Sequence, residues 1–165
     1  MNPQTTQTAQ EKAQELLALE QELVLSSFSN EDALTIGLQA VAYIHEAKKS
    51  GVYIEIRRGE NIVFSHCMDG ANWDNRLFAQ RKLNTVTKFE HCSMYAGEKY
   101  ITKGRQFYDY YAPQEYQCAG GGFPIVIPGT GMVGMIGVSG SFRSRRPRSM
   151  CRGSQTFSEK SIRRH

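Results

Sequence analysis

The stretch that decides the fold is residues 125–140, which read IVIPGTGMVGMIGVSG. It contains a formal G-x-G-x-x-G, the glycine pattern of a dinucleotide-binding loop, in which a strand, the glycines and a helix follow one another. After Gly134, however, the chain continues with glycine and β-branched residues that disfavour a helix and suit a strand. No acidic residue stands near position 154, where a ribose-binding carboxylate would be expected. The stretch therefore predicts two antiparallel strands joined by a turn at residues 128–131, with glycine supplying positive φ angles.

Gly134 and Gly137 lie inside the second of these predicted strands. A glycine in a strand interior often marks a place where another backbone, a helix or a ligand approaches closely. A helix packed on the sheet is one explanation for these two positions. A flat ligand or a neighbouring subunit is the other.

A second hairpin is predicted earlier in the chain. The alternating runs VYIEIRR and NIVFSHCM are joined by Gly59 and Glu60, which indicates a tight turn between two strands. The positions expected to face the core are apolar: Val52, Ile54 and Ile56. The positions expected to face solvent or a partner are charged: Glu55, Arg57 and Arg58.

Periodicity divides the rest of residues 1–140 into short elements. We expect helices over residues 8–20, 30–50, 72–90 and 104–116, the last broken at Pro113. We expect a strand over residues 23–28 and a short strand or strand-like link over residues 91–100. Ser29 or Asn30 can cap the second helix. The apolar positions expected to face the core from that helix are Leu34, Leu38, Val41, Ile44 and Ala47.

The composition indicates neither a membrane-spanning protein nor a secreted one. No apolar run approaches the roughly 20 residues of a membrane span, and the polar start MNPQTTQTAQ lacks the features of a secretory signal. We therefore expect a cytoplasmic protein. The four cysteines, which form no C-x-x-C pair, predict reduced thiols, with neither a zinc site nor a disulfide framework; they are Cys67, Cys92, Cys118 and Cys151.

The net positive charge comes from the last 25 residues of the chain. Residues 1–140 carry 12 Lys and Arg against 15 Asp and Glu, whereas residues 141–165 carry 8 against 1. We expect a single domain over residues 1–140 followed by a basic tail. Nucleic-acid binding is not expected of the domain, because its net charge is negative.

Five segments together resemble a known family: FSNEDALTIG, VYIEIRRGENIVFSH, the helical segment from Trp73 to Lys82, GGGFPI and GTGMVGMIGVSG. They resemble uncharacterised protein family 0303, which is similar to the haem-degrading domain superfamily of GlcG-like and HbpS-like proteins. The resemblance runs in order from residue 13 to residue 140. No single motif in it is diagnostic of chemistry.

The resemblance implies a profilin-like three-layer α/β/α fold with a five-stranded antiparallel sheet, assembled as a homo-oligomer. It also implies a cytoplasmic domain that binds a small ligand, since some relatives bind or degrade haem. Whether the chain is an enzyme is left open, because no Ser-His-Asp order or paired-carboxylate signature is present. The alternative is a protein-interaction module without a ligand or catalysis.

The chain departs from the family at two places. Cys118 and Ala119 stand where the family often has a histidine before its glycine run, and the family continues after VSG with Leu-Pro and an acidic helix. Here the tail reads SFRSRRPRSMCRGSQTFSEKSIRRH. Its codons, read from the third base, permit Leu-Pro-Gln, so we predict a shift of the reading frame at or just after Gly140. A disordered arm that binds nucleic acid and a solvated extension are the alternatives.

Cationic side chains supply the first candidate site. Arg81 and Lys82 end a helical turn, and Arg57 and Arg58 lie on the neighbouring hairpin. Together they could hold a propionate or another carboxylate. A solvated face with surface ion pairs is the alternative.

Two His-Cys pairs supply the second candidate. Adjacent residues on a strand point to opposite faces, so neither His66-Cys67 nor His91-Cys92 is expected to chelate one ion, and we predict no metal site. The resemblance nevertheless makes His66 or His91 a candidate axial ligand of haem. The candidate ligand-binding residues are Arg57, Arg81, Lys82, His91 and Tyr95, with structural roles as the alternative for each.

Overall fold

The computed structural model describes residues 3–47 and 49–140. This part of the chain contains four α-helices: α1 (Pro3–Glu22), α2 (Asn30–Glu46), α3 (Trp73–Phe89) and α4 (Ser93–Thr102). It also contains four strands: β1 (Val52–Arg58), β2 (Asn61–Cys67), β3 (Gly122–Ile127) and β4 (Gly131–Gly140). The basic tail of residues 141–165 lies outside the described residues, so the predicted frameshift stays a prediction.

The strands form one antiparallel sheet in the order β2-β1-β4-β3. Both predicted hairpins are confirmed, and they lie side by side because β1 pairs with β4. In the turn between β3 and β4, Gly129 has a φ of 77° and Gly131 a φ of 98°, while the N–H of Thr130 donates to Ile127 O over 3.0 Å. The glycine pattern is therefore a turn, as its sequence predicts.

The glycines inside β4 allow close packing within the protein. A Cβ atom added to Gly137 would lie 2.7 Å from Leu83 Cγ on α3, and one added to Gly134 would lie 2.8 Å from Cε1 of Phe28. Leu83 of α3 thus covers Gly137, while Gly134 is approached by the Phe28 ring and, more closely, by the backbone carbonyl oxygen of Arg57 on β1. Helix packing, rather than a flat ligand, explains Gly137.

Strand β1 is buried on both faces, which corrects one prediction. Val52, Ile54 and Ile56 are fully buried, as expected, but Glu55 is also only 2% exposed. Alternation predicts a solvent-facing side only for a sheet that is covered on one face. Here α2 packs against one face of β1 and α3 against the other, so Glu55 is enclosed.

The sheet has four strands among the described residues, so the implied five-stranded sheet is wrong here. Residues 23–28, which we expected to form a strand, run beside the edge strand β3 and adopt no strand structure. One backbone hydrogen bond connects them to it, from Leu25 N to Val126 O at 2.9 Å. Their apolar alternation reflects packing of Leu25 and Phe28 against the core, and not a ladder of hydrogen bonds.

Helix α2 begins where the sequence predicts, but it buries a different face. Ser29 is the N-cap and forms a capping box with Asp32. The buried positions are small or β-branched: Ala33, Gly37, Ala40 and Ile44. The expected core residues Leu34 and Leu38 are instead 43% and 57% exposed, because glycine at position 37 lets the ring of Phe64 approach the helix backbone.

Two further elements differ from the predictions. Residues 91–100, expected to form a strand, contain most of helix α4, because Ser93 and the residues after it pack a helical face against α1 and α3. Residues 104–116, expected to form a helix, contain only a 3₁₀ turn at Phe107–Asp109. Their aromatic spacing reflects a cluster of rings rather than one helical face.

The sheet is sandwiched between helices. Ile54 and Val138 belong to a core under α2 that includes Ala40 and Ile44, whereas a smaller core under α3 contains Leu83, Val86 and Met135. Helix α1 packs on α4. The result is a mixed α and β domain of three layers, and none of the helices described has the length and apolar character to cross a membrane.

Candidate functional site

Arg57 lies in an internal ion pair. Its Nε is 2.7 Å from Oε1 of Glu55, and its side chain is only 15% exposed. The other carboxylate oxygen of Glu55 accepts a hydrogen bond of 2.6 Å from the hydroxyl of Tyr53. This polar ladder on β1 satisfies both oxygens of a buried carboxylate, as burial of a charge requires.

Arg81 and Lys82 point into different surroundings. The amine of Lys82 is buried and donates a 2.8 Å hydrogen bond to Val138 O, and burial lowers its pKa to about 8. The guanidinium of Arg81 lies 5.2 Å from the centre of the Phe78 ring. Its Nε is buried without a hydrogen-bond partner among the described residues. The expected surface shared by four cations is therefore not present, because Lys82 is inside the domain.

His91 is held by a residue of helix α1. Its Nδ1 lies 2.7 Å from Oε2 of Glu20, while Oε1 of the same carboxylate accepts a 2.6 Å hydrogen bond from the backbone N–H of Cys92. The imidazole is 36% exposed. With Nδ1 engaged by the carboxylate, Nε2 is the ring nitrogen that remains for a ligand.

Tyr95 lies next to this histidine, in the first turn of α4. The centres of the two rings are 4.6 Å apart, and Nζ of Lys99 lies 5.6 Å from the centre of the Tyr95 ring. Partial burial, with the nearby Glu20 carboxylate as a smaller cause, raises the pKa of the Tyr95 hydroxyl. The structure thus brings two of the five candidate residues together and adds a cation beside them.

An open groove lies along the same boundary between α1 and α4. Its volume is about 330 Å³. The groove is lined by both polar and apolar residues: Gln4, Thr5, Thr8, Ala9, Lys12, Glu98 and Ile101. Lys12 and Glu98 form a 3.6 Å ion pair across it.

The other His-Cys pair has the geometry that alternation predicts. In the β1–β2 ladder His66 is opposite Ile54 and Cys67 is opposite Tyr53, so the two side chains point to opposite faces of the sheet. Both are exposed. Among the residues described, no group of three His, Cys, Asp or Glu side chains is placed to hold a metal ion.

The glycine run before β3 is tied to α4. The hydroxyl of Ser93 donates to Ala119 O over 2.5 Å and accepts a hydrogen bond of 3.1 Å from Gly122 N. Cys118, which stands where the family often has a histidine, packs against Gly97 of α4. Burial raises the pKa of the Cys118 thiol, which favours the thiol over the nucleophilic thiolate.

The remaining tyrosines belong to an aromatic cluster at the end of α4. Its members are Phe89, Tyr100, Phe107, Tyr108, Tyr110, Tyr111 and Tyr116, with neighbouring ring centres between 4.8 and 6.3 Å apart. The hydroxyl of Tyr100 donates to that of Tyr111 over 3.1 Å, and this bond raises the pKa of Tyr100 to about 12. Of these rings only Phe107 is buried, while Tyr108 and Tyr110 are 42% and 53% exposed, so the cluster lies at the surface of the domain.

Sequence reasoning missed Glu20, Lys99 and the buried Glu55 carboxylate as parts of these surroundings. Glu20 is 71 positions from His91, so no local spacing connects the two. Lys99 carried a local signal, since it lies four residues after Tyr95 on a helix. Because residues 91–100 were expected to form a strand, this helical spacing was not considered.

Comparison with protein families gives a match over most of the chain. The family described as haem degrading protein HbpS-like matches residues 28–146. A UPF0303 protein of Psychromonas ingrahamii is 36% identical over 129 residues, which cover 77% of this chain and 80% of the relative. A UPF0303 protein of Streptomyces coelicolor is 33% identical over 128 residues, covering 76% and 80% of the two chains.

Solved structures with the same fold are more distant in sequence. The Ybr137w protein superposes with a TM-score of 0.80 at 21% identity and covers 98% of each chain. HbpS gives a TM-score of 0.61 at 20% identity, covering 80% of this chain and 90% of its own. A complex of PduOC with heme gives 0.63 at 16% identity, covering 79% and 94%. At these identities the likeness shows the fold alone.

Proposed function

The chain belongs to the family of HbpS-like haem-degrading proteins, and from that premise we propose that it binds a small planar, carboxylated ligand at His91 and Tyr95. Haem is the member of this class to test first, because a solved structure of the same fold is a heme complex. We propose further that the protein acts in the cytoplasm as a homo-oligomer.

The observation that carries the proposal is the environment of His91. The imidazole is partly exposed and anchored at Nδ1 by a carboxylate, which leaves Nε2 for a ligand. Anchored histidines of this kind are common among metal ligands because the anchor orients the ring and raises its basicity.

The neighbouring side chains suit a planar acid. Tyr95 offers an aromatic ring 4.6 Å from the imidazole, and Lys99 offers an ammonium for a carboxylate. The residues present fit haem: His91 would hold the iron, Tyr95 would offer an aromatic surface and Lys99 would pair with a carboxylate. When bound, haem would supply an iron centre capable of redox chemistry. The protein's contribution in this proposal is binding and orientation.

Titration of the purified full chain with haemin tests the proposal. We expect a saturable, stoichiometric shift of the Soret band that is lost in His91→Ala. The matched control is His66→Ala, because His66 is exposed on the edge strand β2 and has no carboxylate anchor in the residues described. Weak, non-saturating binding, or equal binding by both variants, would refute a His91 site.

A second candidate function is a protein-interaction module, and one observation favours it. Three large apolar side chains are exposed on α2 and the edge strand β2: Leu34 at 43%, Leu38 at 57% and Ile62 at 51%. Leu34 and Leu38 are four residues apart and share one face of α2, and exposed apolar side chains on one face commonly mark contact surfaces. These residues are also the ones that a homo-oligomer would bury, so the two proposals share this surface.

A further inference from the structure

Glu20 lies outside the family match at residues 28–146, yet its carboxylate makes two short contacts at the candidate site. One oxygen is 2.7 Å from His91 Nδ1 and the other accepts a 2.6 Å bond from Cys92 N. The Glu20 side chain is only 12% exposed. It comes from helix α1, whereas the family match begins at residue 28.

Hydrogen-bond chemistry restricts what these contacts can be. The backbone N–H of Cys92 can only donate, so it requires an acceptor at Oε1. An ionised carboxylate accepts at both oxygens and donates at neither. His91 Nδ1 must then be the donor to Oε2, and in the neutral ring the lone pair is left on Nε2.

The Glu20 carboxylate also lies at the start of helix α4. Cys92 is the N-cap of α4 and makes no capping bond with its own side chain. The first N–H groups of a helix carry partial positive charge and favour a nearby anion. One carboxylate, that of Glu20, thus accepts from the backbone N–H of the N-cap residue and also holds His91.

We propose that Glu20 is the positioning residue of the His91 site: it fixes the Nδ1–H tautomer and directs the Nε2 lone pair outward, toward the ligand. Helix α1 thereby completes a site whose other residues lie in the family-matched segment. The part of the inference that concerns ligand affinity rests on the proposed function, but the tautomer is a property of the protein without a ligand.

The substitution Glu20→Gln removes one acceptor oxygen while it keeps the shape of the side chain. Glutamine has nearly the same volume but one acceptor and one donor group, whereas the two partners are both donors. Either His91 or Cys92 must lose its acceptor. Glu15→Gln on the exposed side of α1 is the matched control.

The first experiment is long-range ¹H–¹⁵N NMR of the full chain with labelled histidine, without ligand, at several pH values between 7 and 9. We expect the neutral His91 ring to carry its proton on Nδ1 in the unaltered protein and in Glu15→Gln. In Glu20→Gln we expect the Nε2–H form to become dominant. An Nε2–H tautomer in the unaltered protein, or no change in Glu20→Gln, would overturn the inference.

The second experiment repeats the haemin titration with the same variants. Loss of a carboxylate that orients a metal-bound histidine typically lowers affinity by about 10- to 100-fold, and we expect that loss in Glu20→Gln but not in Glu15→Gln. If His91→Ala binds haemin normally, the proposed function fails while the NMR result still decides the tautomer. If binding depends on His91 but not on Glu20, the positioning role alone is refuted.

Discussion

Glu55 and Arg57, two residues apart on β1, form an ion pair of 2.7 Å on the face of the sheet that helix α3 covers. Their positions follow from strand geometry, since residues i and i+2 share a face. Burial changes the contribution of the pair to the stability of the fold. In water such a pair contributes little, whereas here the loss of one member would leave the other charge enclosed.

We predict that Glu55→Ala lowers the free energy of unfolding by about 3 kcal/mol, because removal of one partner strands a buried guanidinium. Urea denaturation measures the change. Glu60→Ala, in the exposed turn between β1 and β2, should change stability by less than about 0.5 kcal/mol. Equal, small effects of both substitutions would contradict the burial of this pair.

Lys82 provides a prediction with a defined pH window. Burial lowers its pKa from 10.5 to about 8, so between pH 8 and 10.5 the unfolded chain binds more protons than the folded one. Stability from this group therefore rises as the pH increases through that window. A shift of this size corresponds to about 3 kcal/mol, and the hydrogen bond to Val138 offsets about 1 kcal/mol of it.

We accordingly expect Lys82→Met to stabilise the protein by about 2 kcal/mol at pH 7. The gain should disappear as the pH approaches 10.5. Denaturation at both pH values measures it, with Lys88→Met at an exposed position of α3 as the control. A destabilised Lys82→Met protein at pH 7 would show that the amine has a stabilising partner.

Gly137 predicts a steric effect between β4 and α3. An added Cβ would lie 2.7 Å from Leu83 Cγ, so Gly137→Ala should destabilise by roughly 1–3 kcal/mol through overpacking. In a Leu83→Ala background the penalty should largely vanish, which a double-mutant cycle measures. Gly120→Ala is the control, because it meets only the flexible end of Met94. If the destabilisation by Gly137→Ala and that by Leu83→Ala are additive, the added methyl group does not clash with Leu83.

The capping box of α2 predicts a smaller change. The Ser29 hydroxyl accepts from Asp32 N over 3.1 Å, and Ser29 N donates to Asp32 Oδ2 over 2.7 Å. Ser29→Ala should reduce the free energy of unfolding by about 1 kcal/mol. Ser27→Ala, at an exposed position just before the helix, should have little effect by the same measurement.

The exposed face of α2 predicts self-association. If the protein is a homo-oligomer that buries Leu38, then Leu38→Glu should dissociate it in analytical ultracentrifugation without lowering the stability of the subunit. Ala18→Glu, exposed on α1, should leave the assembly intact. Assembly that resists Leu38→Glu would exclude this face as the contact.

The accuracy of the sequence predictions follows the range of the interactions involved. The two hairpins and the start of α2 were predicted correctly because their signals are local: turn glycines, alternation and a capping serine. The strands expected at residues 23–28 and 91–100 were wrong. In both segments the pattern of a few apolar residues was compatible with more than one backbone conformation. Packing against other elements determined which conformation formed.

For the candidate site, too, the sequence predicted what depends on single residues and missed what depends on distant contacts. His91 and Tyr95 could be selected from the sequence as residues with suitable chemistry, although their shared surface could not. Glu20 could not be selected at all, since its contact with His91 exists only when α1 packs on α4. Lys82 was selected as a surface cation and is instead buried.

The sequence by itself determined the two antiparallel hairpins, the capped helix α2, the long helix α3 and the family, because turn chemistry, capping and periodicity act over a few residues. Only the tertiary structure decided that β1 is enclosed on both faces, that Lys82 and Glu55 are buried, and that Glu20 holds His91. Those properties depend on which layers meet, and such contacts join residues that are far apart in the chain and leave no local pattern.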